Sequence, residues 1–483
     1  MAIAVAGIAV VGVTILRHEL WRDELQAWQI VRASHGVHSL VQNMRYEGHP
    51  ILWYGLLYPI AHAHAGPGAM QLLQLVIASI TISVAVWRAP FTLLQKLLFV
   101  FGYFVLYEYG VLARSYGFGA MLLVVTLAVA ATSGRRPWLV VGLLLGLVAL
   151  TSAFGAIVAI AVLAGLLVDE WLRRRTREPN RAAPGALAIG TVLTFAGLLI
   201  AYVQAARPPK DTGIYGHWLT SVDFGLGASS SAAIWRALVP IPALKHSYWN
   251  TNILHVRAAI VGVLGVLLFV GLAWILRDRL GAFVVWVAGA GLVVAFLYLR
   301  IGTATASRHV GHIFLCLVAA MWLAPTMTAR RSTARPNTRR YVLTVLLVVQ
   351  VIAGVFAASL DLVYPFSNGL AIAHYIQQHD LGHTEIIGLP DTASSTVAGY
   401  LDRPIYYLAG ARFGTYIVWD TKREHLQPIS AVLDSYRTGG RHVLLLINTP
   451  LRDTSLHLRL LVHDDNGIVP DEHFWLYEGS APV

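Results

Sequence analysis

Residues 258–299 read AAIVGVLGVLLFVGLAWILRDRLGAFVVWVAGAGLVVAFLYL. Two apolar runs, each near the roughly 20 residues a helix needs to cross a hydrocarbon core, flank one basic knot, Arg277-Asp278-Arg279. A backbone in lipid must satisfy its own polar groups, so such runs fold as helices. The rest of the chain repeats the pattern. Of its 483 residues 57% are hydrophobic and only 13% charged. A soluble domain carries about 25% charge, so this chain has too little polar surface to cover its apolar residues in water. The expected class is an α-helical polytopic membrane protein.

Outward from that stretch, eleven apolar segments give a consistent topology: Ala2–Leu16, Ala69–Val86, Phe91–Tyr109, Tyr116–Ala131, Pro137–Leu150, Ala153–Val168, Ala186–Tyr202, Ala258–Leu276, Ala282–Leu299, Val310–Trp322 and Tyr341–Ala357. Only Thr151 and Ser152 separate the fifth from the sixth. The first lacks a basic n-region and a clear small-residue cleavage site, so it reads as a retained span and not a signal peptide. Basic residues cluster in alternate connections: Arg88, Arg135–Arg136, Arg173–Arg175 with Arg177 and Arg181, Arg277 with Arg279, and Arg330–Arg331 with Arg335, Arg339 and Arg340. With the N-terminus in the cytoplasm, every cluster is cytoplasmic, as the positive-inside bias requires. The net charge of +11 then has a topological cause and implies no nucleic-acid partner. The single cysteine, Cys316, lies in an apolar run. It excludes an intrachain disulfide scaffold and reads as a small buried residue.

This topology assigns residues 1–358 to the membrane region and puts three loops, 17–68, 207–257 and 300–309, on the outer face of the cell membrane. In the first loop Glu24–Ala33 and Ile51–Ala63 are too short to cross and read as interfacial helices. The tail, 359–483, changes character. Short β-rich runs at Glu385–Leu389, Ile405–Leu408, Thr415–Trp419 and His442–Ile447 alternate with helical patterns at Ala371–His379 and Glu424–Tyr436. That alternation predicts a small outer α/β domain.

Charge at a membrane face is expensive and therefore informative. Four clusters share the outer side. Trp21-Arg22-Asp23-Glu24 offers two carboxylates for general-base work or a cation; it equally fits a helix start with Asp23 as N-cap and Glu24 on the dipole. Glu47-Gly48-His49-Pro50 fits a turn opening a helix, and also a second polar group aimed at Asp23. Glu108 with Arg114, Ser115 and Tyr116 suits a phosphate held by a planar guanidinium, or an arginine snorkelling beside an aromatic belt of Tyr103, Tyr107 and Tyr109. Thr303 to His309, with His312 one turn on, presents Arg308 and His309 in the same two roles. The second outer loop adds Lys210, Asp211, Tyr215, His217 and Trp218, then Lys245, His246, Tyr248 and Trp249, a composition suited to sugars or to a plain interface. No P-loop, dinucleotide fingerprint, His-Glu-x-x-His or paired-cysteine motif is present.

Three of these segments in order resemble the polytopic GT-C glycosyltransferases, notably the branch with the protein O-mannosyltransferases and the aminoarabinose transferase of lipid A. Trp21-Arg22-Asp23-Glu24 is similar to that branch's aromatic-x-Asp-Glu motif. His49-Pro50-Ile51-Leu52-Trp53-Tyr54 resembles its His-Pro-Pro-Leu-Tyr-Tyr segment, with Ile51 in place of the second proline. Arg114-Ser115-Tyr116 resembles its Arg-x-Tyr, with Ser115 where proline is common. The resemblance covers the first 130 residues, and beyond them only the general architecture.

The resemblance implies a GT-C-like fold and a polyprenyl-phosphate or polyprenyl-diphosphate sugar donor, with a glycan, lipid or protein as acceptor. Asp23 matches the family's catalytic acidic position, with Glu24 in support. Arg114, Tyr116, Arg308 and His309 are the candidates for the donor phosphate. His49, Glu47, Glu108 and His217 are the candidates for substrate contact. No metal or other cofactor is expected, although Asp23, Glu24 and Glu108 would suit a divalent ion if they converged. A secondary transporter or flippase would place its charges at mid-membrane in two related halves. A non-catalytic envelope scaffold would tolerate loss of every outer carboxylate.

Overall fold

A computed structural model describes the chain except residues 64, 133, 206–208, 214–222, 255–257, 303–305, 330–335, 440 and 480–483. The N-terminal helix α1 (Ala2–Arg17) is followed by α2 (Arg22–Arg32), the axis bending by 77° between them. Three residues with spent carboxylates and imidazole hold this corner. Glu24 closes back on the Trp21 N–H, which donates to its Oε2 at 3.3 Å. His18 donates to the same oxygen at 3.0 Å and, through its other nitrogen, to Asp361 at 2.8 Å. Burial pushes the His18 imidazole down, but the two carboxylates outweigh it and raise it to about 10. Trp21, and not Asp23, is thus the N-cap of α2.

Two short helices, α3 (Val37–Asn43) and α4 (Leu52–His62), complete the first loop. The apolar segments that follow form helices: α5 (Gly68–Arg88), α6 (Leu93–Val100) with a π-turn at Phe104–Glu108, α7 (Ser115–Ala130), α8 (Trp138–Ala149), α9 (Ala153–Arg175) and α10 (Pro184–Ala205). After α11 (Phe224–Leu238) come α12 (Ala258–Leu276), α13 (Leu280–Phe296), α14 (Ser307–Leu323) and α15 (Pro336–Asp361). The brief break at Thr151-Ser152 has a local cause: Ser152 caps α9, its hydroxyl accepting the Gly155 N–H at 2.9 Å. Among the described residues seven helices are long and apolar enough to cross a membrane, or eight if α1 and α2 count as one broken span. The eleven apolar segments of the sequence include α7 and α8, which fall short of that length at 16 and 12 residues, and α6, interrupted before its π-turn.

Small residues let helices approach in lipid. A Cβ on Gly142 of α8 would collide with the Gly190 carbonyl oxygen of α10. At one end of the bundle the basic connections meet. Asp169 accepts Arg136 at 2.7 Å and Arg173 at 2.9 Å, and Arg173 also donates to the Thr326 carbonyl at 2.7 Å. Since α9 and α14 both end there, their first turns, Phe154 and Arg308–His309, lie at the opposite end. The candidates Arg308 and His309 therefore lie at the end of the bundle opposite Arg136 and Arg173.

The tail builds a six-stranded mixed sheet from β1 (Glu385–Leu389), β2 (Ile405–Tyr407), β3 (Arg412–Gly414), β4 (Val443–Ile447), β5 (Arg459–Asp464) and β6 (Phe474–Gly479), in the order β3-β2-β1-β4-β6-β5. The central pairs β1–β2 and β1–β4 are parallel; the outer pairs are antiparallel. Helices α16 (Gly369–Gln378), α17 (Asp391–Leu401) and α18 (Ile429–Thr438) accompany the sheet. The run Thr415–Trp419 is not a strand. The amide of Gln26 takes a strand's place there: its Oε1 accepts the Ile417 N–H at 2.9 Å and its Nε2 donates to the Ile417 carbonyl at 2.7 Å.

Helix α17 lies against α2 and fixes the tail to the membrane region. Glu472, fully buried, accepts the Arg22 N–H at 3.0 Å and the hydroxyls of Ser367 and Thr396 at 2.6 and 3.1 Å. Tyr400 donates to the Leu20 carbonyl at 2.9 Å. Glu472→Ala leaves three buried donors without an acceptor and should cost about 3 kcal/mol or more. Asp402→Asn weakens only the exposed pair with Arg32 and should cost less than about 1 kcal/mol. Denaturant unfolding in detergent tests the contrast; equal costs would show that Glu472 does not tie the tail down.

Candidate active site

Helix α2 begins against the end of the bundle, and its second residue is Asp23. Arg114, the residue before α7, donates through Nη1 to Asp23 Oδ2 at 2.5 Å. Arg308, in the first turn of α14, approaches the same oxygen at 3.1 Å. Arg22 Nε lies 4.0 Å from the other oxygen, and Arg22 Nη2 donates to Asp471 of the tail at 3.3 Å. Burial favours the neutral carboxyl, yet Arg114, Arg308 and Arg22 together hold Asp23 well below the usual carboxylate range. Aromatic faces carry the cations: the Arg114 guanidinium stands 5.1 Å from the Tyr116 ring centre, and Arg308 5.7 Å from that of Trp21.

These groups line a polar chamber of about 380 Å³. Its walls come from α2 (Asp23, Gln26), from the loop before α4 (Glu47, His49), from Arg114–Tyr116, from Arg308–His309, and from the tail through Thr392, Trp419 and Asp471. Beside it lies an apolar cavity of about 700 Å³ between α9, α10 and the end of α13. Glu47, His49, Tyr116 and His309 line both spaces, so the two meet across these four side chains. His309 stacks on Phe154 with ring centres 4.7 Å apart and meets Tyr116 edge-on at 5.9 Å.

Asp23, Glu47, His49, Arg114, Tyr116, Arg308 and His309 are thus brought together, as their clustering on one side of the sequence topology anticipates. Glu24 is not among them. It is fully buried, its Oε2 is spent on His18 and Trp21, and its Oε1 accepts the Ala113 N–H at 2.6 Å. With its acceptors committed to these donors it braces the turn that presents Arg114. Glu108 is also set apart, in the π-turn, buried with the Tyr103 hydroxyl on its Oε2 at 3.0 Å and outside both cavities. His217, with Tyr215 and Trp218, lies outside the described residues. Tyr248 and Trp249 are core residues, not sugar platforms: Tyr248 is buried beside Tyr107, and Trp249 packs edge-on to Trp21 and Phe366. Among the described residues no group of three or more His, Cys, Asp or Glu side chains converges to hold a metal ion.

The sequence reading missed Gln26 and the tail residues Trp419 and Asp471. Gln26 also donates to Glu47 Oε1 at 2.8 Å, so one amide holds both a chamber carboxyl and the tail loop. Only its place one turn after Asp23, on a helix face that repeats at three to four residues, hinted at this. The tail residues carried no local signal.

The chamber shifts Glu47 and His49 in opposite directions. Burial raises Glu47 to about 7, the more so for facing Asp23, while burial and Arg114 lower His49 to about 4. An unfolded Glu titrates near 4.5, folded Glu47 near 7. Between those values the unfolded chain carries the charge and the folded chain does not, so stability falls as pH rises. Glu47→Gln should flatten the decline of the thermal midpoint across this window. An unchanged slope would mean that Glu47 is solvated in the folded protein.

No family model matches the chain, and no curated protein matches it significantly. Among solved structures, the crystal structure of ArnT from Cupriavidus metallidurans in the apo state is similar at a TM-score of 0.46 with 14% sequence identity, covering 99% of this chain and 97% of that one.

Proposed function

We propose that the protein is a membrane glycosyltransferase that takes a sugar from a polyprenyl-phosphate or polyprenyl-diphosphate donor. The observation that carries this reading is the pair of adjoining cavities, one apolar and one polar, with four side chains lining both. A ligand that fits both has a long apolar part and an anionic head. The apolar space lies between candidate membrane-spanning helices, where burial of a hydrocarbon chain gives about 0.8 kcal/mol per CH₂. The polar space holds three arginines against two aspartates, Asp23 and Asp471, with Glu47 raised toward its neutral form, a balance of positive charge that suits a phosphate. The motif resemblance of the first 130 residues points to the same donor class.

In this reading the acceptor hydroxyl enters the chamber from the side walled by Thr392, Trp419 and Asp471. Its oxygen attacks the anomeric carbon as the bond from that carbon to the phosphate oxygen breaks. The bonding electrons leave on the phosphate, and the acceptor proton passes to Asp23 acting as general base. Arg114 and Arg308 stabilise the charge gathering on the leaving group. One base and one anion site suffice for a single displacement with inversion. The acceptor is a glycan, lipid or protein at the outer face, with the tail domain on that side and the N-terminus in the cytoplasm.

Purified protein given a panel of polyprenyl-linked sugars and membrane extract as acceptor should release free lipid phosphate. Asp23→Asn should keep its fold and lose turnover by about 100-fold or more, the usual scale of a general base. Arg114→Ala should impair use of the donor more than use of the acceptor. Near-normal turnover in Asp23→Asn would sink the base assignment; no release from any donor by folded wild type would sink the transferase reading.

A further inference from the structure

The base of the proposed reaction is tied to the cations of the proposed leaving-group site. Both guanidiniums touch one oxygen, Asp23 Oδ2. Among the described residues no other carboxylate pairs with Arg114 or Arg308. Glu24 is spent on His18, Trp21 and Ala113. Glu108 is engaged by Tyr103, and Glu47 by Gln26. Asp471 and Glu472 face Arg22. The side chains of the pair are only 14% and 19% exposed, so their charge needs a counter-anion close by. A further donor of the chamber, Arg308 Nε, is buried without a partner, as is His49 Nδ1, which donates in one tautomer of the neutral ring. The chamber therefore holds more anion-binding capacity than one carboxylate uses.

Resting on the lipid-phosphate reading, we propose that Asp23 and the donor's phosphate compete for Arg114 and Arg308, so that arrival of the phosphate releases Asp23 to act as base. The charges balance through the reaction. A donor phosphodiester carries one negative charge and shares the two guanidiniums with Asp23. As the acceptor oxygen bonds to the anomeric carbon, its proton neutralises Asp23 while the leaving phosphate gains the electron pair. The counter-charge of the arginines moves from the carboxylate to the phosphate with no net change in the chamber. Loss of the proton from Asp23 to water afterwards restores its claim on both guanidiniums and helps expel the lipid phosphate. A clamped aspartate is a poor base; one whose cations have been taken over by phosphate is a better one.

The test is equilibrium binding of farnesyl phosphate in mixed micelles to the purified full-length protein, with farnesol as the uncharged control. The wild type should prefer farnesyl phosphate to farnesol, and Asp23→Asn should bind farnesyl phosphate about tenfold tighter or more with farnesol binding unchanged. Weaker or equal binding of farnesyl phosphate by Asp23→Asn, with the wild-type preference intact, would overturn the competition and leave the donor reading standing. A wild type that does not distinguish farnesyl phosphate from farnesol would overturn both. Should Asp23→Asn fail to fold, the infrared difference spectrum of the wild type on adding farnesyl phosphate decides. A shifted carboxylate stretch is expected, and its absence would overturn the proposal.

Discussion

One carboxylate oxygen joins the start of α2, the residue before α7 and the first turn of α14. Two largely buried guanidiniums repel each other, and an anion between them offsets that cost. Asp23 supplies it, and the end of the bundle is arranged around that need. Glu24, the next residue, points the other way and holds the Ala113 N–H and His18. Adjacent acids on one helix thus divide two tasks: one faces the chamber, and its neighbour fastens the turn that presents Arg114.

Much of the bundle was legible because lipid enforces a simple rule, and each long apolar run could only be a helix. The interfacial helices were legible for a related reason, being apolar yet too short to cross. The charged site was legible because arginine and aspartate at a membrane edge have few innocent explanations. What was not legible depends on partners distant in the chain. The run Thr415–Trp419 has the composition of a strand, but Gln26 satisfies Ile417 on both sides and no neighbouring strand is needed. Strands β3, β5 and β6 also escaped notice; β5 is an edge strand, with Arg459, Leu460 and His463 exposed. The same distance hid Trp419 and Asp471, whose place in the chamber is set by how the tail docks.

The docking combines apolar burial, with Phe366, Ile468 and Val469 in the core of the bundle, and a few buried polar contacts. Glu472 gathers one backbone donor and two hydroxyls, and Gln26 and Gln29 reach across from α2 to the tail at Ile417 and Ser395. Such contacts are directional and fix an orientation. A wall of the chamber that comes from a separately folded sheet needs that fixity, since an error of about 1 Å in position is costly to chemistry.

The apolar cavity has a consequence for kinetics. Its lining belongs to α9, α10 and α13, so on the proposed reading the donor is drawn from the plane of the bilayer. The quantity that fills the site is then the donor's mole fraction among lipids, not its amount per volume of solution. Diluting the protein and its donor together in buffer would leave the rate per molecule unchanged, whereas adding inert lipid or detergent would slow it. The acceptor, if it arrives from water, would obey the ordinary rule, and the two substrates of one reaction would answer to different measures of concentration.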